Sequence, residues 1–519
     1  MANFNPYSNY GYVALIKQST SAPVKPTNYL RFISESFTPK FNVQVINEVA
    51  GERERNIRNI QGNIEMEGEI EFYVEPKMIT HFLRSLFGAP TTRTITTGLY
   101  RHDFGVTDNT ANYTFDIQLA DSPWVNRFYS AQVTKINLTR EDNAIKCTAT
   151  IMPTKAFISA RVTSAVSSGT ALAVDQTSGL TTSDTILVIR NATDGTYSTI
   201  AELTIAALVS ETALTVSTIG ASIAVGDLVV IKRATVTASN YDQDNAFQFQ
   251  NGSAIYTGVD IDNTTEEAKE DFEIEIMNEV EPRYVNGLTE SARFPVEILT
   301  KGFAATGKVT KFYNDQSKLD KLRKNEHFGI RFLMQGQTAV IANSATKARS
   351  TFGAGNGFYV EAATAGKAGN DLNITITINT IDTLAASKSG NNILLKLAST
   401  TASNNTGTAI ATILDALTGV DAAVQGTGAE QFTTAVANGN LGGHTGATSN
   451  VVGADASTKP YLQIDCASAA LDSYFPHNSE DDIVTEEIPM IFYVDSDGSN
   501  AQRKNFSVRA YVVNGASSI

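Results

Sequence analysis

The chain has few of the residues that carry out metal or redox chemistry. Its 519 residues include 2 cysteines, 5 histidines and 1 tryptophan. Cys147 and Cys466 lie far apart in strand-like runs, which indicates buried reduced thiols rather than a disulfide framework or a zinc site. The histidines are scattered without the spacing of metal ligands. We therefore expect neither a metal centre nor a cofactor.

The chain also lacks an excess of positive charge and any long apolar run. It has 40 Lys and Arg residues against 54 Asp and Glu residues, which gives a formal net charge of −14. This balance argues against the basic surface that binds nucleic acids. No run approaches the roughly 18 apolar residues of a membrane span. The first ten residues show neither the basic nor the apolar part of a signal peptide, so no membrane association is predicted.

The most informative stretch is the acidic strand, which runs from Gly62 to Pro76 with the sequence GNIEMEGEIEFYVEP. Its four glutamates alternate with mostly apolar residues: Glu65, Glu67, Glu69 and Glu71. Because strand side chains at period two share a face, one face is acidic and the other is apolar. The repulsion between the carboxylates requires that this face lie in water. It is either the solvated edge of a sandwich or the wall of an aqueous channel that must not bind an anion.

Two local features flank the acidic strand. Before it, residues 47–58 form a polar stretch of mixed charge, predicted to be a loop that leads into the strand. After it, the apolar spacing of Met78 to Phe87 predicts a short helix, with Gly88 at the position of a C-cap.

The chain repeats this organisation. FEIEIMNEV at 272–280 matches FNVQVINEV at 41–49, and GKVTKFY at 307–313 matches GEIEFY at 68–73 with one residue inserted. A helix-like stretch follows both, at 315–323 and 77–87. The order of strand, long polar stretch, strand and helix indicates a duplicated fold. The acidic face is only partly kept in the second copy.

Two segments interrupt the repeat. Residues 157–236 are rich in small residues and contain two similar halves, which predicts a small β-barrel. Residues 338–456 contain a Gly-rich turn and one helix near 408–417, which predicts a small α/β unit. The spacing Gly353-x-Gly355-x-Gly357 is not that of a dinucleotide site. No enzyme signature is present, so no catalytic residue is predicted.

The repeated pattern resembles the tail tube (major tail) proteins of long-tailed bacteriophages, in the version with two fused tube domains. The resemblance covers residues 1–155, about 238–337 and 456–519, and leaves out both interrupting segments. It implies a mainly β protein with two tandem tube domains of β-sandwich or barrel form, each with a short helix, plus a small inserted β-barrel domain and a small inserted α/β domain. The implied domains are 1–156, 157–237, 238–337 with 456–519, and 338–455.

The resemblance also implies a function. Six tube domains, and hence three chains, close a ring, and rings stack into a non-contractile tail tube through which double-stranded DNA passes without specific binding during genome ejection. The partners would be further copies of the chain and the tape measure, tail terminator and tail tip proteins. The protein would be a structural part of the virion tail, made in the host bacterial cytoplasm, and not an enzyme. The residues implied to line the lumen are Glu65, Glu67, Glu69, Glu71, Thr306, Lys308 and Thr310. Those implied to contact a neighbouring subunit or ring are Glu52, Arg53, Glu54, Arg55 and Arg58.

One alternative is an adhesin or receptor-binding virion protein, which also stacks β domains. Such a protein would show exposed aromatic clusters at loop tips, and no convincing cluster is present. A glycan hydrolase would need a pair of acids in a cleft, whereas these glutamates form a stripe.

Overall fold

The computed structural model describes residues 11–47, 56–96, 99–108, 110–191, 197–241, 245–258, 264–267, 271–285, 294–312, 322–336, 346–451, 459–473, 475–477, 485–494 and 506–517. Strands dominate these ranges, and the predicted fold class, a mainly β protein with inserted domains, is confirmed.

The first part of the chain contains long strands around one helix. These elements are β1 (Val13–Lys17), β2 (Asn28–Leu30), β3 (Ser34–Glu35), β4 (Thr38–Asn47), β5 (Asn56–Tyr73), α1 (Met78–Phe87), β6 (Thr91–Thr96), β7 (Leu99–Phe104), β8 (Tyr113–Ile117), β9 (Trp124–Glu141) and β10 (Ala144–Phe157). The first interrupting segment follows as β11 (Ala160–Arg161), β12 (Gly169–Ala173), β13 (Thr185–Asn191), β14 (Tyr197–Ser210), β15 (Ala213–Ile219) and β16 (Leu228–Lys232).

The second part of the chain is divided by the other interrupting segment. Before that segment come β17 (Gln248–Gly258), β18 (Thr264–Glu267), β19 (Asp271–Arg283), β20 (Glu297–Phe312) and β21 (Phe328–Gln335). The segment itself contains β22 (Arg349–Phe352), β23 (Phe358–Ala362), β24 (Asn373–Ile378), β25 (Ala385–Ser389), β26 (Asn392–Leu397), α2 (Gly407–Asp415), β27 (Val420–Val424), β28 (Val436–Asn440) and β29 (Ser449–Val451). After it come β30 (Tyr461–Leu471), β31 (Phe475–His477), β32 (Thr485–Tyr493) and β33 (Val508–Asn514).

The acidic strand and its helix form where the sequence predicts them. β5 includes all four glutamates, and its alternate residues Ile64, Met66, Ile70 and Phe72 are buried. Helix α1 packs on this buried side, with the Phe72 and Phe82 rings 4.7 Å apart. It ends at Gly88, whose positive φ of 105° suits glycine and whose N–H donates to the Arg84 carbonyl oxygen. The helix thus lies under the apolar face of the sheet.

A closed eight-stranded antiparallel barrel joins the two copies of the repeat. The strands pair in the order β10, β9, β19, β20, β32, β30, β21 and β17, and β17 returns to β10. The β9–β10 hairpin of the first copy is therefore also part of the barrel of the second. Strands β5 and β4 extend the sheet beyond β10. One large apolar core fills the space inside.

Two further apolar clusters lie at the interrupting segments. Strands β11 to β16 enclose a cluster that includes Leu172, Ile186 and Leu214, and Tyr12, Val125 and Phe157 of the first copy also belong to it. Its two similar halves pair with each other, since β12 pairs with β15 and β13 pairs with β16. In the second segment α2 packs with two four-stranded sheets around a separate cluster that includes Ile374 and Leu414. Thr406 begins α2 as its N-cap, because its hydroxyl accepts from the Ala409 N–H.

Candidate functional site

A polar face extends without interruption across strands of both copies. One row of directly paired residues crosses six strands as Glu71, Thr148, Asn137, Glu275, Thr306 and Ile491. The adjacent row consists of Phe72, Cys147, Leu138, Ile274, Gly307 and Met490, and points into the core. Directly paired residues share a face of a sheet, and successive residues alternate between faces. The register therefore gives one sheet with a polar side and an apolar side.

The glutamates and the second-copy residues singled out in the sequence lie together on this polar face. Glu65, Glu67 and Glu69 are exposed and Glu71 is half-buried. Thr306, Lys308 and Thr310 are also half-buried and alternate with buried Ala305 and Val309. The face that these seven residues share is called the polar face from here on.

The sequence alone did not place the strands between these two groups on the polar face. β9, β10 and β19 also contribute polar side chains, which are Lys135, Asn137, Thr139, Glu141, Lys146, Thr148, Thr150, Glu273 and Glu275. Their alternation was visible in the sequence, but nothing local shows that β9 pairs with β19. That pairing joins residues more than 130 positions apart, with Asn137 Nδ2 donating to Glu273 Oε1 at 2.7 Å.

Three lysines on the polar face lie against neighbouring carboxylates. Lys135 Nζ lies 2.7 Å from Glu275 Oε2, and Lys308 Nζ lies 3.0 Å from Glu487 Oε1. Lys146 Nζ lies 3.1 Å from Glu141 and 3.8 Å from Glu71, and the hydrogen bond to Glu141 is the main cause that raises the pKa of Lys146. Such partly exposed pairs contribute about 0–1 kcal/mol each to stability. Their main consequence is that the charges of these three lysines are locally neutralised, while Glu65, Glu67 and Glu69 stay exposed.

Matching glycines let aromatic rings pack behind the polar face. A Cβ at Gly68 would lie 2.5 Å from the Phe37 ring, and a Cβ at Gly307 would lie 2.5 Å from the Phe492 ring. These two glycines are counterparts in the repeated sequence. Each copy therefore uses a glycine in the same position to admit a phenyl ring into the core.

Two hairpins extend past the sheet as two-stranded arms. In the first, β5 before Gly68 pairs with β4. In the second, residues 278–283 of β19 pair with β20. Because β5 and β20 run in the same direction within the sheet, both arms project from the same end.

The predicted loop before the acidic strand is partly wrong, and part of it lies outside the described residues. The polar stretch was predicted to be a loop up to Arg58, but β5 begins at Asn56, and Arg58 pairs with Ile46. The hairpin thus extends through residues 56–61, which pair with β4. Glu52, Arg53, Glu54 and Arg55 lie outside the described residues. Of the predicted second helix, the structure describes only a turn at 322–324.

The second arm covers the end of helix α1. Asn278 Nδ2 donates to the carbonyl oxygen of Leu86 at 2.8 Å, and the Phe303 ring packs 5.3 Å from the Phe87 ring. Asn278 and both helix residues are buried. The last carbonyls of a helix have no partner within the helix, so Asn278 satisfies one of them from the neighbouring copy.

A buried arginine joins the first interrupting segment to the sheet. Arg127 on β9 is completely buried, and its donors bond Asp116 on β8 and both Asp184 and the Gly179 carbonyl in the inserted segment, at 2.6–3.2 Å. Burial alone lowers the pKa of Arg127, but the two carboxylates raise it well above its ordinary value. The guanidinium is therefore charged and fully hydrogen-bonded, which fixes the inserted segment against the sheet.

Two arginines hold the second interrupting segment. Arg93 on β6 donates to the carbonyls of Gly442 and Gly443 at 3.2 and 3.0 Å. Arg331 on β21 bonds Asp465 on β30 and reaches Asp371 in the inserted segment at 3.3–3.4 Å. Both segments are thus attached by the guanidinium groups of arginines that lie on strands of the sheet.

The described residues contain no cluster of three or more His, Cys, Asp or Glu side chains that could hold a metal ion. No helix in the described part of the chain has the length and apolar character that a membrane crossing requires. Cys147 and Cys466 are both buried and unpaired.

A comparison with protein families matches residues 9–239 to the model of phage tail tube proteins, which is somewhat less than half of the chain. The matched region is similar to phage tail tube proteins, which is consistent with a phage tail tube protein. The match supports a structural role in a phage tail tube. No curated protein matches the chain.

The matched region includes the acidic strand and α1 and also spans the first interrupting segment. The match ends before β17. The second copy is linked to the matched region by its repeated sequence and by the sheet that both copies share.

Proposed function

We propose that this protein is the major tail tube subunit of a long, non-contractile phage tail, and that the polar face lines the lumen through which double-stranded DNA passes. The observation that carries the proposal is the row from Glu71 to Ile491, because it gives both copies a common polar side and a common buried side. The family match of residues 9–239 supports the structural role.

The number of strands suits a ring of three chains. Each chain contributes eight neighbouring strands to this sheet, namely β4, β5, β10, β9, β19, β20, β32 and β31. Three chains give about 24 strands, which at about 4.8 Å per strand and a tilt near 40° form a circle about 48 Å across. Side chains of about 5 Å on each side leave about 38 Å, enough for a duplex about 20 Å wide.

The pairing of β9 with β19 suggests how the ring closes. Among the described strands, β4 pairs only with β5, and β31 pairs only with β32, so each has one open edge. β4 is the counterpart of β19 in the repeat. β31, which follows β30, forms a hairpin with β32, just as the end of β9 forms a hairpin with β10. In the proposed ring β4 of one chain pairs with β31 of the next, as β19 pairs with β9 within a chain. Open strand edges are templates for such pairing.

The charge of the polar face fits a channel for DNA. The exposed glutamates repel phosphates, and the lysines at 135, 146 and 308 each lie against a carboxylate. A basic lining would retain DNA, because each phosphate contact releases counterions and strengthens binding. The acidic face therefore lets the duplex slide.

The remaining parts of the proposal concern organisation and partners. Tube domain 1 comprises 1–156, tube domain 2 comprises 238–337 with 456–519, and the segments 157–237 and 338–455 form outer surface domains. Glu52 to Arg55 and Arg58, at the tip of the first arm, contact neighbouring subunits or rings. Other partners are the tape measure, tail terminator and tail tip proteins, and the protein is made in the cytoplasm of the host bacterium.

Negative-stain electron microscopy of the purified full chain tests this function. We expect rings or tubes with a central channel of about 40 Å, since the strand count gives about 38 Å. Subunits that stay monomeric at high concentration and bind glycans would instead support an adhesin. A reconstruction that places Glu65 to Glu71 on the outer surface would refute the lumen assignment.

A further inference from the structure

We infer that Asn47 of one chain caps the last helical turn of tube domain 2, at residues 322–324, in a second copy of the chain. This inference rests on the proposed function and names a contact that would hold neighbouring chains together. It follows from a contact that the structure already contains once, between the two copies of the repeat.

The internal contact is a buried hydrogen bond at a helix end. Asn278 Nδ2 donates to the Leu86 carbonyl oxygen at 2.8 Å, next to the tilted ring contact of Phe87 with Phe303. Asn278 lies on the arm of the second copy, whereas the helix belongs to the first. The arm of one repeat therefore covers the helix of the repeat beside it.

Asn47 has the same place in the first copy. It is the seventh residue of FNVQVINEV, as Asn278 is the seventh of FEIEIMNEV. It lies at the end of β4, which forms the first arm with β5, as β19 forms the second arm with β20. Both hairpins have a register shift near this asparagine, between Ile46 and Asn47 in one and between Glu279 and Val280 in the other.

The helix end that Asn47 would reach is also duplicated. Helix α1 ends at Gly88 with φ of 105°, and the turn at 322–324 ends at Asn325 with φ of 51°. Leu86 lies two residues before Gly88, and Arg323 lies two residues before Asn325. Arg323 is therefore the counterpart of Leu86. The first helix end is buried under the second arm, with Leu86 and Phe87 at most 1% exposed. In contrast, Arg323 and Lys324 are exposed in the single chain.

A second copy of this chain is the occupant that fits. In the contact within the chain, the arm that covers a helix comes from the next repeat along the sheet. In a closed ring, the repeat after tube domain 2 is tube domain 1 of the next chain. The donor is then Asn47 and the acceptor is the carbonyl oxygen of Arg323.

The same substitution at the two asparagines separates the internal contact from the one between chains. Aspartate has the shape of asparagine but loses the N–H donor and places negative charge at the negative end of the helix dipole. Asn278→Asp should lower the melting temperature of the isolated subunit. Asn47→Asp should leave that temperature unchanged but raise the critical concentration for assembly at least about tenfold, which corresponds to 1.4 kcal/mol. Light scattering and sedimentation measure the critical concentration.

Gln61→Glu is the matched control, because it adds the same charge to the same arm opposite Val43, away from Asn47. We expect it to assemble like the wild type. Equal assembly of the wild type and Asn47→Asp would overturn the inference, and so would equal impairment by Gln61→Glu. If the wild type itself never assembles, the proposed function fails, which is a different result from failure of this contact alone.

Crosslinking locates the contact directly. A photoreactive p-benzoylphenylalanine at position 47 should join two chains in assembled protein, with peptides around Leu322 to Asn325 identified by mass spectrometry. The same group at position 278 should crosslink within one chain, to the end of α1. Crosslinks from position 47 that avoid the 322–325 region, in tubes that assemble normally, would also overturn the inference.

Discussion

Reversing the charge of the acidic strand should turn a sliding surface into one that retains DNA. Replacing Glu65, Glu67, Glu69 and Glu71 by lysine changes the formal charge from −14 to −6, since four reversals add eight charges. Three of the four side chains are exposed, so folding should change little, by about 0.5 kcal/mol or less at each exposed site. Glu71 also loses its contact with Lys146, which adds a small cost.

The effect on DNA follows from the proposed ring. Three chains would place about 12 new lysines around each ring, and six to ten phosphate contacts make binding fall about 10³- to 10⁵-fold between 50 and 200 mM salt. A centred duplex leaves a gap of about 9 Å on each side, close to the Debye length of about 10 Å at 0.1 M salt. We therefore expect assembled variant tubes to retain short duplex DNA at 50 mM salt and to release it at 500 mM.

Sedimentation of assembled tubes with labelled 30-base-pair DNA measures this retention. The variant with the same four glutamates changed to glutamine removes charge without adding any, and should bind much less. A second pair of variants changes only two glutamates to lysine. One carries the reversal at Glu65 and Glu67, and its control carries it at Glu202 and Glu211, which are exposed on strand β14 and the turn that follows it. Equal DNA retention by these two paired variants would refute the assignment of the acidic strand to the lumen.

Four further predictions concern the packing of the fold and the assembly of subunits. Arg127→Met should destabilise the protein by about 3–5 kcal/mol in urea unfolding, because it leaves Asp184 buried without its partner, and a loss below about 1 kcal/mol would contradict the role of this arginine. Gly307→Ala should cost about 1–3 kcal/mol by overlap with Phe492, whereas Gly105→Ala, with no atom within 4 Å of its Cβ, serves as the control. Changing Arg53, Arg55 and Arg58 to glutamate should give folded protein that fails to polymerise, and normal tubes would exclude a contact role for these residues. Joining residues 159 and 236 by a short Gly-Ser linker should preserve ring assembly if the small barrel is an outer domain, with unfolding of the remaining chain as the contrary result in circular dichroism.

The sequence by itself determined the local parts of this protein. The alternation of glutamate with apolar residues was enough to predict a strand with one acidic and one buried face, because the period of two is a property of the strand alone. The spacing of apolar residues and Gly88 predicted α1 with its bounds Met78–Phe87. The repeat of FNVQVINEV as FEIEIMNEV showed the duplication, because a repeat can be recognised directly in the order of the residues.

Tertiary structure decided how these parts are combined. The pairing of β9 with β19, which merges both copies into one sheet, depends on backbone hydrogen bonds between distant segments that leave no local pattern. For the same reason the sequence missed the ion pair of Lys135 with Glu275. The start of β5 was misplaced because the polar residues before Gly62 were read as a loop. The buried cluster around Arg127 was also hidden, since Asp116, Arg127 and Asp184 are ordinary charged residues until β8, β9 and the segment before β13 bring them together.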